Sequence, residues 1–132
     1  SNGDIYDGDW KDGKRHGKGE FTVSNGHVYD GDWKDGKRHG KGKFTFTNGN
    51  IYDGEWKEGE MHGRGRQAII ADGYIYDGDF KNGKKDGNGK EIIRNDGGEF
   101  VYFGEYRHGE RYLEHYSLTL PVHAFFNKKH AL

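Results

Sequence analysis

The chain has 132 residues, 30% apolar and 33% charged, with 24 glycines, one proline, no cysteine and a formal net charge of −1. The absence of thiols excludes a disulfide framework and thiolate chemistry, and the near-neutral charge argues against a partner that is a nucleic acid. The apolar share is below the ~45–50% of ordinary globular chains, yet three tryptophans, nine tyrosines and eight phenylalanines can stand in for an aliphatic core, since each ring buries roughly 150–250 Å².

In chain order, the elements are copies of one unit. Tyr6-Asp7-Gly8-Asp9-Trp10 recurs as Tyr29-Asp30-Gly31-Asp32-Trp33 and as Tyr52-Asp53-Gly54-Glu55-Trp56. Looser copies follow at Tyr76-Asp77-Gly78-Asp79-Phe80 and Tyr102-Phe103-Gly104-Glu105-Tyr106. Each opening is followed by a glycine (Gly13, Gly36, Gly59, Gly83, Gly109). In the first four units a His-Gly-x-Gly stretch or its variant comes next, at His16–Gly19, His39–Gly42, His62–Gly65 and Asp86–Gly89. A fixed period in the range of ~20–50 residues means a stacked array in which no unit buries its apolar face alone.

Each unit reads as two short strands. Side chains alternate across a strand, so Tyr6, Gly8 and Trp10 share one face and Asp7, Asp9 and Lys11 the other. In the second strand Gly17, Gly19, Phe21 and Val23 oppose Lys18, Glu20 and Thr22. Asn25-Gly26 and Asn48-Gly49 predict two-residue type I′ hairpin turns, and Asp72-Gly73 and Asp96-Gly97 fit the same slot. Lys11-Asp12-Gly13-Lys14 predicts a wider loop. Units three and four are longer than the first two, which predicts a β-bulge near Arg66-Gln67 and an irregularity near Asp96–Glu99. With strands ~4.8 Å apart, each unit advances ~10 Å.

The expected fold is all-β, a single-layered, twisted antiparallel meander of hairpins. Tyrosines should stack on tyrosines and tryptophans on tryptophans, in ladders on the concave face. Residues 1–111 should form the array, with four full units and one half unit, and 112–132 a C-terminal cap or dimerisation segment. In that tail Tyr116, Leu118, Leu120 and Val122 alternate with Ser117 and Thr119 until Pro121 interrupts the strand. Ser1-Asn2-Gly3 matches Ser24-Asn25-Gly26, the tail of a unit, and suggests a piece of a longer array.

The pattern Tyr-x-Gly-x-Trp-x-x-Gly-x-x-His-Gly-x-Gly, met at Tyr6–Gly19, Tyr29–Gly42 and Tyr52–Gly65 and diluted at Tyr76–Gly89, resembles the MORN repeat (membrane occupation and recognition nexus). Unit four departs at Phe80 and Asp86, and unit five places Tyr112-Leu113 where His-Gly would stand. The resemblance implies a hairpin array used for docking. Such proteins act as cytoskeletal or membrane-associated scaffolds, or as targeting regions of enzymes such as lipid kinases and lysine methyltransferases. Some hold a helix or peptide in their groove, and some dimerise end to end.

The remaining candidate chemistry is sparse. His16, His39 and His62 form a column, but units ~10 Å apart cannot share a zinc ion that needs ligands ~2 Å away; a turn-bracing role is expected and no metal. Gly13–Gly19 has three residues between glycines where a phosphate loop has four, and no helix follows. No serine sits beside a base, so no catalytic residue is assigned and no cofactor is implied. The sharper expectations are two. Tyr6, Trp10, Tyr29, Trp33, Tyr52, Trp56, Tyr76, Phe80, Tyr102 and Tyr106 should line a groove for a protein or peptide partner, since exposed rings are frequent hot spots. Lys14, Arg15, Lys37, Arg38, Lys84 and Lys85 should form a cationic rim that could meet anionic lipid headgroups. The function expected is therefore a non-enzymatic scaffold at the cytoskeleton or cortex. The alternatives are a peripheral phospholipid-binding module or the targeting region of a larger enzyme. No signal or transit segment or long apolar run is seen, so the expected setting is cytoplasmic, on the cytoskeleton or the cytoplasmic face of a membrane, with a homodimer as a further expectation.

Overall fold

A computed structural model of the chain describes residues 3–120. Ten strands form one open antiparallel sheet in sequence order: β1 (Ile5–Lys11), β2 (Lys14–Thr22), β3 (Val28–Lys34), β4 (Lys37–Thr45), β5 (Ile51–Lys57), β6 (Glu60–Ile69), β7 (Tyr74–Lys81), β8 (Lys84–Asn95), β9 (Gly98–Arg107) and β10 (Glu110–Leu120). Among the described residues the only helical turn is a 3₁₀ turn at Ile70–Asp72. Each unit is a hairpin, and there is no second layer among these elements. The expected meander is present.

The two turn types are the reverse of the sequence expectation. The tight turn is Asp12-Gly13, closed by the Lys11↔Lys14 pair, with φ of 51° and 77°. Positive φ at both central residues defines type I′, whose twist matches the flanking strands. Asp35-Gly36, Glu58-Gly59, Asn82-Gly83 and His108-Gly109 repeat it. The Asn-Gly loops are the wide ones. The Gly26 N–H donates to Val23 O and the Val23 N–H to His27 O, and only Gly26 has positive φ. This is a three-residue loop whose glycine takes the left-handed position. The β8–β9 turn is the exception: Asp96-Gly97 is a two-residue turn as expected, closed by Asn95↔Gly98, but positive φ falls at Gly98 and not at the central residues, so it is not type I′.

The bulges also lie elsewhere. Pairing runs Gly8↔Gly19 and then Trp10↔Arg15, so Asp9 alone faces His16, Gly17 and Lys18. The same slip recurs between Gly31 and Trp33, Gly54 and Trp56, and Gly78 and Phe80. No bulge occurs at Arg66-Gln67, where Gln67 pairs Tyr52 and Tyr76 in continuous register. The added length of unit three goes into the 3₁₀ turn instead. The irregularity expected near Asp96–Glu99 is likewise absent, since β8 and β9 pair without a break from Gly87↔Tyr106 to Asn95↔Gly98. Unit five has a second strand: β10 pairs with β9 from Glu110↔Arg107 to Leu120↔Glu99. The boundary expected at 111–112 therefore falls inside β10, while the remainder of the expected cap, 121–132, lies outside the described residues, as does Ser1-Asn2.

Ring packing explains the glycine pairs. Tyr29 lies flat on the sheet, so a Cβ on Gly42 would come within 2.5 Å of its Cε1, and one on Gly31 within 2.8 Å of its hydroxyl. The ring over each glycine pair comes from the same unit. The leading tyrosines of successive units do not stack on one another, and where two tyrosines meet, as Tyr76 and Tyr106 do at 5.0 Å, the contact is edge-on. Tyr29 meets Trp33 and Trp56 edge-on at 5.0 and 5.4 Å between centroids, and Tyr52 meets Trp56 and Phe80 at 5.1 and 5.0 Å. Units ~10 Å apart are too distant for like rings to touch, so the two columns interleave in one zigzag of edge-to-face contacts.

Candidate functional site

The recurring acid of the first four units stabilises the bulge of each. The Asp9 carboxylate accepts the Lys18 N–H at 3.2 Å, Asp32 that of Lys41 at 3.0 Å, Glu55 that of Arg64 at 3.2 Å and Asp79 that of Asn88 at 3.0 Å. The tyrosine hydroxyl completes the brace, donating to the carbonyl of the same acid: Tyr29 to Asp32 O at 2.8 Å, Tyr52 to Glu55 O at 2.8 Å and Tyr76 to Asp79 O at 2.9 Å. Burial, first among the causes, raises the pKa of all three phenols well above the usual tyrosine range, keeping them as donors. His16, His39 and His62 sit within these bulges, and among the described residues no group of three or more His, Cys, Asp or Glu could hold a metal ion.

Consecutive units are joined across the same face. The Trp33 indole N–H donates to Gly19 O and that of Trp56 to Gly42 O, each at 3.0 Å. The Arg15 guanidinium donates to Gly36 O at 3.2 Å and Arg38 to Gly59 O at 2.9 Å. Arg15 also covers the Phe21 and Trp33 rings at 4.7 and 4.5 Å, and Arg38 those of Phe44 and Trp56 at 5.3 and 4.6 Å.

These contacts divide the rim residues. Neighbours along a strand point to opposite faces, so Lys14, Lys37 and Lys84 are exposed while Arg15, Arg38 and Lys85 turn onto the ring face, half-buried. Lys37 faces Glu58 at 3.6 Å. The expected groove residues are also divided. Tyr29, Trp33, Tyr52, Trp56, Tyr76, Phe80, Tyr102 and Tyr106 are buried and form the core, with Tyr6 packed against it, whereas Trp10 is 60% exposed because no unit precedes it among the described residues. What remains open on this face is the row above them. A depression of about 350 Å³ is lined by Arg15, Phe21, Trp33, Arg38 and Phe44, and a neighbour of about 310 Å³ by Arg38, Phe44, Phe46, Trp56 and Met61.

Units four and five fill the corresponding space with a polar cluster that sequence reasoning missed. Glu91 pairs with Tyr76 as Phe21 does with Tyr6 and is only 5% exposed. Its carboxylate accepts hydrogen bonds from Tyr74, from Tyr106 at 2.5 Å and from Arg111 at 2.7 Å, with Lys85 Nζ at 3.5 Å. Burial works to raise the Glu91 pKa; the bonds from Tyr106, Tyr74 and Arg111 and the charge of Lys85 outweigh it and hold the group below the usual carboxylate range. Lys85 sits among the rings of Tyr74, Tyr76 and Tyr106, and Arg111 over Tyr102 at 4.1 Å. A signal was present: two residues past Gly89, where earlier units have phenylalanine or glutamine, an acid occupies an inward position.

No curated protein matches the chain in a sequence comparison. The family model for the MORN repeat matches residues 6–28, 29–51, 52–67 and 76–97. These matches span more than half of the chain and coincide with the repeating hairpins, so the chain belongs to the MORN-repeat family.

Proposed function

We propose that this chain is a non-enzymatic docking module that holds a protein segment against the ring face of its first three units. The repeat is a non-catalytic module generally involved in binding proteins or membranes. The observation carrying the reading is the row of depressions between Phe21, Phe44, Phe46 and Met61, side chains that stay part-exposed or exposed above the buried ring core. Half-open apolar surface on a pre-formed scaffold is what peptide-binding faces offer. A scaffold at the cytoskeleton or cortex, or the targeting region of a larger enzyme, would use such a face in the same way.

The test is selection of binders from a random dodecapeptide phage library on the immobilised chain, followed by amide NMR with synthetic copies. Shifts should concentrate at Arg15, Phe21, Phe44 and Phe46 and leave Lys18, Lys43 and Arg66 on the opposite face unmoved. Shifts confined to that opposite face or to the turns would refute the reading. The exposed Lys14, Lys37 and Lys84 support a second reading, a rim for anionic lipid. It ranks lower because Lys37 already faces Glu58 and Lys14 shares its turn with Asp12.

A further inference from the structure

On the reading that the ring face docks a peptide, we infer that its occupant is acidic, with a carboxylate received between Arg15 and Arg38. The same slots in two halves of the array carry the argument. In units four and five the cations Lys85 and Arg111 lie on the ring face, and a built-in carboxylate, Glu91, sits between them. In units one and two the matching cations are Arg15 and Arg38, paired with Trp10 and Trp33 as Lys85 is with Phe80 and Arg111 with Tyr106. The matching slot between them holds Phe21, and among the described residues neither arginine has a carboxylate within ion-pairing distance.

Each guanidinium spends one N–H direction on a main-chain carbonyl and lays its face on rings, so that of its five donors others remain for the depression of about 350 Å³ that both line. Burial lowers the Arg38 pKa, and the like charge of Arg15 adds to that effect. Two half-desolvated cations facing a common opening favour an anion there, and a planar fork suits a carboxylate in two-point contact. Neutral apolar residues flanking it would rest on Phe21 and Phe44. In units four and five Glu91 already supplies the anion, so the acidic site is confined to the first half.

The experiment runs the dodecapeptide selection in parallel on the unaltered chain, on Arg15→Met/Arg38→Met and on Phe21→Glu. Met61 occupies the arginine slot of unit three, and Phe21→Glu sets a carboxylate between Arg15 and Arg38 as Glu91 is set between Lys85 and Arg111, although Asp4 and Trp33 stand where Tyr74 and Tyr106 supply hydroxyls; melting curves check that both variants fold. Binders of the unaltered chain should be rich in Asp and Glu beside aromatic or aliphatic residues. A synthetic binder should lose about tenfold or more affinity on either variant, and as much when its acids become amides, because charge-assisted bonds are removed. Ring-face binders without acidic bias would overturn this inference and leave the docking reading intact. Binders that perturb only the opposite face, or no binders, would overturn both. Flotation with phosphatidylserine vesicles that is lost in Arg15→Met/Arg38→Met, with peptide binding unchanged, would assign the cations to lipid and overturn it as well.

Discussion

Units one, two and four share one backbone, and unit five its opening strand, but the two halves fill the space between consecutive hairpins with opposite chemistry. In the first pair Arg15 and Arg38 lie over Phe21, Trp33, Phe44 and Trp56 and leave open depressions. In the second, Glu91 draws Tyr74, Tyr106, Lys85 and Arg111 into a closed network. The glycine pairs, bulges and tyrosine braces recur in the first four units regardless. The repeat thus separates a frame, which must be kept, from a slot that can be varied. One half of the slots keeps its cations for something else; the other neutralises them internally.

Several substitutions can break or sharpen this contrast. Glu91→Ala should be the most severe, costing about 2–4 kcal/mol by urea unfolding, because it leaves the part-buried Lys85 and the hydroxyls of Tyr74 and Tyr106 without their acceptor. Phe21→Ala in the matching slot should cost only about 1–2 kcal/mol, since it removes part-buried apolar surface. Equal losses would mean that the cluster contributes no more than packing.

The frame should be indifferent to the slot. Gly42→Ala and Gly89→Ala should each cost about 1–3 kcal/mol, because either Cβ would run into the tyrosine laid across it, at 2.5 Å from Tyr29 Cε1 or Tyr76 Cζ. A large difference between the two would show that the frame is not shared.

Acid should loosen the second half first. The folded-state pKa of Glu91 lies below its ordinary value, so its stabilisation is complete above the usual glutamate range near ~4.3 and is lost as pH falls through the folded value. Asp32 is also lowered: burial raises it, but hydrogen bonds from Lys18 and the Lys41 N–H bring it further down. Lys18 is exposed, so water and salt weaken that pair. Amide exchange in β9 should therefore accelerate before that in β3 between pH 5 and pH 3, by hydrogen-exchange mass spectrometry, and Glu91→Gln should remove the difference. The smallest effect belongs to Arg38→Met, which forfeits ring contacts worth about 0.5–1 kcal/mol and the bond to Gly59 O, offset in part by removal of a half-desolvated charge, and should lower the melting point only slightly.

Much of the frame was legible. A repeat of fixed length fixes which positions recur, and alternation along a strand tells which of them share a face. That made Tyr29, Trp33, Tyr52 and Trp56 recognisable as one ring-bearing surface. The same alternation separates Lys14 from Arg15: a loop would present both on one rim, but β2 already begins at Lys14 and turns them to opposite faces. Asn25-Gly26 and Asp12-Gly13 carry similar turn signals, and only the strand register, Lys11↔Lys14 against the looser Val23–His27 closure, decides which is tight. Glu91 was overlooked because its partners lie 15, 17 and 20 residues away along the chain.

By itself, the amino-acid order determined that this is an open stack of two-stranded units with rings on one side, because period and alternation are local properties of a chain. Only the tertiary structure decided which turn is tight, where the bulge falls, and which rings are core and which stay reachable. Those depend on how neighbouring hairpins meet: a ring needs a partner ~5 Å away, the next unit lies ~10 Å off, and the chain resolves that mismatch by interleaving tyrosine with tryptophan.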